Sequence, residues 1–329
     1  MASVQKNGAT IRAKNGTAQL YRLVRPNLGL FIALLLLIII GVILSPAFYN
    51  PRNIFNVLRQ VTALGVISVG MTFVIISGNG GVDLSAGATL SLASCLAAGL
   101  MNGQRELIVP VVLLVLGVGM GIGLANGLLI TKFRTDPFIT TLGMMTTILG
   151  LAFFYTRGAP FGLVAREFRV LSEGFVGPLP VPVILFVLVF AVCGFILRKT
   201  TFGRHLYAIG GNQEAARLSG IRVNAYKTTV YVIAGLTAAF AGLMQVSRTT
   251  VGDPRLGVGV ELDAIAAVII GGTSFAGGVG GASGTIAGVL IIAIIGNLMN
   301  LLDVSAFLQD MVQGLIILGA VIMQRKKTV

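Results

Sequence analysis

Charged residues are spaced along this chain so that long apolar runs stand between them. Runs free of Asp, Glu, Lys and Arg cover 26–51, 60–82, 84–104, 107–131, 137–156, 174–197, 228–247, 264–302 and 311–324. Crossing a hydrocarbon core of about 30 Å takes roughly 20 apolar residues at 1.5 Å each. Seven of the runs fit one helix each. The run 264–302 is too long for one and is interrupted by Gly277, Gly278, Gly280, Gly281 and Gly284, so it divides into spans at 262–276 and 284–301. The last run is short and extends back to about Phe307 across Asp310. The pattern therefore predicts an all-α polytopic transmembrane helical bundle of about ten spans. A basic stretch leads into the apolar run 28–44, and no small-x-small cleavage site precedes Pro46. A retained signal anchor is expected as the first helix.

Composition agrees with the pattern. Of 329 residues 55% are hydrophobic and only 11% charged, against roughly 25% charged in a soluble domain. A soluble enzyme, a disordered chain and a disulfide scaffold are excluded together. Cys95 and Cys193 lie inside apolar runs, about a hundred residues apart with no CxxC or neighbouring His, and read as small core residues.

The net charge of +13 is a topology signal rather than a nucleic-acid signal. With ten spans both termini share one side. If that side is the cytoplasm, the outer segments carry only Arg52, Arg59, Arg105, Arg157, Arg166, Arg169, Arg248 and Arg255, and the other sixteen of the 24 basic residues lie inside. This two-to-one bias is what the positive-inside rule requires. Only Asp83, Asp136 and Glu214 of the eleven acids fall inside, so all the net charge is cytoplasmic. The expected organisation is a cytoplasmic segment 1–27, a transmembrane domain 28–323 containing a cytoplasmic loop 198–227, and a basic tail 324–329.

Two loops are long. The outer one, about 157–173, holds five charges and offers a surface to an external partner. The inner loop contains NQEAARLSG at 212–220, with an Asn to cap a helix start and a Gly to end it. It is too short and polar to span, and reads as one short helix lying across the membrane face. Internal symmetry is visible in GVDLSAGATL (81–90) and GVELDAIAAV (259–268), which share five of ten residues and place Asp83 opposite Glu261. An odd number of spans separates the copies, so they would be inverted in the membrane.

Nothing resembles a catalytic cluster. No GxxxxGK[ST], GxSxG or HExxH is present, so the chain is read as non-enzymatic, without metal and without an ATPase of its own. His205, the single histidine, is expected to be solvated or among lipid headgroups. Asp83, Asp263 and Asp310 fall at span ends, where capping a helix N-terminus is the leading reading and a substrate or ion role the alternative. No acid or base sits near a span centre, which disfavours a proton- or sodium-driven transporter and a charged substrate. The spans carry instead small and neutral polar residues. Gly117, Gly119, Gly121, Gly123 and Gly127 read mostly as close helix packing. Ser85, Asn126, Thr141, Asn297 and Asn300, with Asp83, form a candidate substrate path suited to a sugar or polyol.

Four motifs carry a resemblance to a known family: VGMTFVIISGNGGVDLSAG (69–87), NG…DPFITTLGMM (126–145), FGRHLYAIGGNQEAARLSGIRVNAYK (202–227) and GVELDAIAAVIIGGTSFAGGVGG (259–281). The chain resembles the permease subunits of carbohydrate-uptake ABC transporters, the ribose-type group, from about Leu28 onward. The resemblance implies an all-helical permease of a bacterial inner membrane that works with a second copy or a paralogue. It implies a cytoplasmic ATPase partner, on which ATP and Mg act, and a periplasmic sugar-binding protein. It also identifies Asn212, Gln213, Glu214, Ala215, Ala216, Arg217, Leu218, Ser219 and Gly220 as a coupling helix for that ATPase, with Ala215 and Ala216 allowing close docking. The cargo implied is ribose or a similar sugar; another pentose, hexose or polyol stays open, as do a branched-chain amino acid, an ATP-independent transporter and, last, a membrane enzyme. One departure is local. The family pattern reads close to GGIDLSVG, whereas this chain has GNGGVDLSAG; the extra Asn79 and Gly80 lengthen the turn before Asp83, so the pattern alone does not fix where Asp83 sits.

Overall fold

The computed structural model describes residues 28–325; the expected segment 1–27 and the basic residues Lys326 and Lys327 lie outside the described residues. Helices α1 (Leu28–Leu44), α2 (Pro51–Ile76), α3 (Ser85–Met101), α4 (Ile108–Lys132) and α5 (Pro137–Thr156) come first. A short α6 (Val170–Glu173) and a two-residue hairpin, β1 (Phe175–Val176) with β2 (Leu179–Pro180), lead into α7 (Val181–Lys199). Then follow α8 (Thr201–Gly211), α9 (Gln213–Leu218), α10 (Val223–Thr249), α11 (Val260–Ile270), α12 (Ala282–Leu301) and α13 (Ala306–Arg325). The protein is an all-α multi-pass membrane bundle. Six helices, α2, α4, α5, α7, α10 and α12, are long and apolar enough to cross a bilayer alone; α1, α3 and the apolar part of α13 are shorter.

Local chemistry sets the helix starts. Asn50 accepts from the Arg52 N–H at 2.9 Å ahead of Pro51, and Asp136 accepts from the Phe138 and Ile139 N–H groups at 2.9 and 3.2 Å ahead of Pro137. In both, a side-chain oxygen satisfies a free first-turn donor and proline supplies the helical φ.

Packing at the centre depends on missing side chains. A Cβ at Gly119 would run into the Gly235 carbonyl, one at Gly123 into the Tyr231 carbonyl, and one at Gly127 into the backbone of Thr228. These three glycines, spaced by four, form one stripe of α4 against which α10 runs antiparallel. Helices in lipid gain little from hydrophobicity toward each other, so backbone approach of this kind supplies the van der Waals contact that holds them. Gly117 and Gly121 face open space. By contrast α1 fully buries only Gly41, against Phe48; Leu30, Ala33, Leu34 and Leu37 form a half-buried stripe and the other residues are exposed.

The bundle has two ends, here called the α9 end and the hairpin end. Both copies of the repeated motif mark a helix that begins inside it. Residues Val82 and Asp83 are buried ahead of α3, and the stretch 250–259 runs inward along α3 before α11 starts, with Gly252 packed on Cys95 and Gly257 on Gly87. A Cβ at Gly87 would meet the Glu261 carboxylate. The first turns of α3 and α11 thus lie together, and the helices leave in opposite directions. The α3 helix reaches Ala98, whose carbonyl accepts from Leu163 at 3.1 Å at the hairpin end. The α11 helix leads to the glycine-rich loop 271–281, where the Gly278 N–H donates to Ile76 at 3.0 Å at the α9 end. This is the arrangement an inverted repeat demands, and Asp83 and Glu261 each place a carboxylate at a half-helix N-terminus, where the dipole favours it.

Four expectations are corrected. The eighth span does not run over 262–276; α11 stops at Ile270, because Gly272 adopts φ +85° and turns the chain. Eleven residues cover about 16 Å, so α11 crosses only together with the extended stretch before it. The inner loop contains two helices rather than one, since Thr200 caps α8 by accepting from the Gly203 N–H at 3.3 Å. Asp83 does accept from the Ser85 N–H, but Asp263 pairs with the Gln313 side chain of α13 instead of capping, and Asp310 is exposed within α13. His205 is half-buried against Tyr226, its Nδ1 2.7 Å from the phenol oxygen. Cys95 and Cys193 are free and buried, as core residues. The outer loop folds back by burying Val164, Ala165 and Phe168, leaving Arg166 and Glu167 exposed.

Candidate functional site

The helix expected at 212–220 forms as α9. Asn212 accepts from the Ala215 N–H at 3.0 Å, and Gly220 takes φ +83°, where a side chain would be strained. Ala216 is 4% exposed and packs on Ile209 of α8 and Val223 of α10, so it seats the helix and offers nothing outward. The exposed face is Glu214, Ala215, Arg217 and Leu218, with Leu218 81% exposed at the tip. Of the nine residues the sequence singles out, eight keep surface on this side or at the helix ends, and Ala216 does not.

Beneath α9 three backbones converge on glycine. A Cβ at Gly210 in α8 would strike the Ile76 carbonyl and the Gly278 N–H, and one at Gly277 would strike Gly78. The Tyr207 hydroxyl donates to the Gly280 carbonyl at 2.8 Å, fixing α8 to the same loop. Burial, with Cys193 nearby, pushes that phenol above its ordinary pKa, so it stays a donor. Gly78, Asn79 and Gly80 follow one another at φ +75°, +55° and +67°, a left-handed turn in which Asn is the side chain tolerated best. From it Asn79 Nδ2 donates to Gln213 Oε1 at 2.5 Å, joining the α2–α3 turn to the first residue of α9. Asn79, one of the two residues that lengthen this turn, therefore makes the link.

The same turn leads directly into a buried polar cluster. Asp83, 1% exposed, accepts from the Ser85 hydroxyl at 2.6 Å and from its N–H at 3.0 Å; Asn126 Nδ2 of α4 donates to the Ser85 hydroxyl at 2.8 Å. The Tyr231 hydroxyl donates to the Val82 carbonyl at 3.3 Å and holds the lead-in against α10. Among the described residues the Asn126 Oδ1 has no hydrogen-bond partner, and neither has the Glu261 Oε2 beside Gly87. In this conformation the cluster is closed to a solute.

Three of the six candidate path residues, Asp83, Ser85 and Asn126, are thus brought together. The others are not. Thr141 is buried and donates within its own helix to Pro137 at 2.9 Å. Asn297 exchanges amide hydrogen bonds with Asn53 of α2 at 3.0 and 2.8 Å, at the hairpin end. Asn300 accepts from Gln309 at 3.0 Å across the α12–α13 turn. Glu261, Asn79 and Asn53 are absent from the expected set. The symmetry between the two motifs pointed at Glu261, and the length of the turn pointed at Asn79; Asn53 left no signal, because a pairing between residues 244 apart is set by tertiary structure. Among the described residues no group of three His, Cys, Asp or Glu side chains is placed to hold a metal.

Comparison with known proteins agrees with this architecture. The chain is 48% identical over 309 residues to the ribose import permease protein of Bacillus subtilis, covering 93% of this chain and 94% of that one. It is 42% identical over 300 residues to the ribose import permease protein of Escherichia coli K12, covering 90% and 92%. It is 38% identical over 314 residues to the L-arabinose ABC transporter permease protein of Azospirillum brasilense, covering 95% and 91%. No solved structure matches. Residues 53–321 match the family described as branched-chain amino acid transport system / permease component, and the chain belongs to that permease family.

Proposed function

We propose that the chain is the membrane-spanning subunit of an ATP-driven importer that carries a monosaccharide, ribose or a sugar close to it, across a bacterial inner membrane with both termini in the cytoplasm. The relatives that support a sugar are named for ribose and arabinose. A zwitterionic amino acid, as the family description would suggest, fits less well with a polar cluster in which Asp83 is already engaged by Ser85 and, among the described residues, no Lys or Arg pairs with Asp83 or Glu261. ATP and Mg are bound by a separate cytoplasmic ATPase, a periplasmic binding protein delivers the sugar at the hairpin end, and a second copy or paralogue completes the pathway.

The observation that carries this reading is the chain of contacts from α9 to the core. An exposed, capped helix with Leu218 at its tip is suited to a partner's cleft. Displacing it pulls on Gln213, hence on Asn79, hence on the lead-in to Asp83, Ser85 and Asn126. Closure of the ATPase and loading of the binding protein then bias one two-state equilibrium from opposite faces. No bond in the sugar is made or broken by this chain.

The test is Gly220→Pro in the reconstituted complex. Proline fixes φ near −65° where this residue needs +83°, and removes the N–H that donates to Arg217 at 3.0 Å. Membrane insertion is expected to be intact and sugar uptake per ATP hydrolysed to fall about tenfold or more. Wild-type uptake would count against coupling through α9, and uptake by the chain alone in liposomes would replace the ATP-driven reading with a gradient-driven one.

A further inference from the structure

A groove of about 830 Å³ opens at the α9 end, between the α4–α5 turn and the start of α10. Its walls carry Arg134 from the turn, Arg217 from α9, and Arg222 and Lys227 from the approach to α10 and its first turns. Two carboxylates are near. Asp136 is engaged in capping α5, and Glu214, largely exposed, stands 3.9 Å from Arg217 at the surface. Among the described residues no ion pair or side-chain hydrogen bond reaches Arg134, Arg222 or Lys227.

Lys227 is the anomaly. It is 8% exposed, so more than nine-tenths of its surface is buried, yet it lines the groove with no counter-ion among the described residues. An isolated buried charge is strongly unfavourable unless something pairs with it. Of the three guanidinium groups in its walls, those of Arg134 and Arg222 are unpaired among the described residues, and their planar donor forks match the oxygens of a phosphate. Beside it Phe133, Phe138 and Ile139 are exposed at the ends of α4 and α5, an apolar apron continuous with the membrane-facing surface. Basic pockets between helices on a cytoplasmic face are the usual seat of anionic lipid headgroups.

We propose that this groove binds a phosphate group, carried by an anionic phospholipid or by a free phosphate compound, with Lys227 as its buried ion partner and Arg134 and Arg222 flanking it. The assignment does not depend on the identity of the transported solute.

The full-length chain is placed in phosphatidylcholine nanodiscs, with or without phosphatidylglycerol, and with or without inorganic phosphate. Retained lipid is read by native mass spectrometry and stability by thermal unfolding. Phosphatidylglycerol is expected to be retained in preference to phosphatidylcholine and to raise the unfolding midpoint, and Lys227→Gln to weaken that retention about tenfold. Without either phosphate source Lys227→Gln is expected to unfold at a higher temperature than wild type, because an unpaired buried charge has been removed. Stabilisation by inorganic phosphate, lost in Lys227→Gln, with no preference for phosphatidylglycerol, assigns the groove to a free phosphate compound. If neither ligand acts on wild type, or Lys227→Gln responds as wild type does, the proposal fails. Should Lys227→Gln not fold, Arg134→Gln, at an exposed position in the turn, decides the same question by the same readout.

Discussion

Asn79 and Gln213 are 134 positions apart and joined by one side-chain hydrogen bond of 2.5 Å, which ties the entrance of the buried cluster to α9. A bond between an exposed amide and a half-exposed one contributes at most about 0.5–1.5 kcal/mol, small for stability but sufficient to bias two states that differ by little more. Asn79→Gly keeps the left-handed turn and removes the bond; Gln213→Ala removes it from the other side. Each is expected to lower uptake per ATP severalfold with little change in unfolding temperature. The double variant should be no worse than either single one, and strictly additive losses would show that the two residues act apart.

The glycine stripe of α4 separates packing from composition. Gly123→Ala drives a methyl group into the Tyr231 carbonyl, a backbone atom that cannot rotate away, and about 1–3 kcal/mol of destabilisation is expected. Gly117→Ala meets nothing within 4 Å and should be neutral or slightly stabilising, because alanine restricts the unfolded chain. Thermal unfolding of the two variants in the same detergent makes the comparison; equal losses would mean that the stripe does not set the helix contact.

These residues also show what a sequence can and cannot display. The long apolar helices, the cap at Asn212 and the turn at Gly220 are legible because each depends on neighbours in the chain: a run of apolar residues, an Asn three positions before a free N–H, a glycine where φ must be positive. The half-helices were legible only as a repeat, GVDLSAGATL against GVELDAIAAV, and the eighth span was placed too far along because hydropathy does not register that Gly272 turns the chain. Of the candidate path, Asp83 and Ser85 are sequence neighbours, and Asn126 joins them only through the packing of α3 on α4. Asn297 looks equally polar in the sequence but is paired with Asn53 at the other end of the bundle. Polar residues in apolar spans announce that they have a partner, not which one.

Asp83 is the keystone of the buried cluster, since one carboxylate oxygen accepts both Ser85 donors. Asp83→Ala leaves the Ser85 N–H and hydroxyl without their acceptor in a site with no water access, and about 1–3 kcal/mol should be lost. Asp83→Asn keeps an oxygen of the same reach and should recover most of that stability. If Asp83 also serves transport through its charge, Asp83→Asn will unfold like wild type yet carry sugar poorly. Wild-type transport by Asp83→Asn would confine the residue to holding the start of α3.

The junction under α9 offers the sharpest contrast, because two adjacent glycines have opposite surroundings. Gly210 is enclosed: a Cβ there meets the Ile76 carbonyl and the Gly278 N–H, which are themselves hydrogen-bonded at 3.0 Å. At Gly211, the next residue, an added Cβ would meet nothing within 4 Å. Gly210→Ala must therefore either break the Ile76–Gly278 bond or push α8 away, and α9 moves with α8 through the Ile209–Ala216 contact. The expected outcome is a chain that inserts but loses about tenfold or more of its uptake, with destabilisation of about 1–3 kcal/mol. Gly211→Ala should behave as wild type in both assays. If the two substitutions are equally harmless, the backbone junction is loose enough to yield, and α9 is not held in register by the fold beneath it.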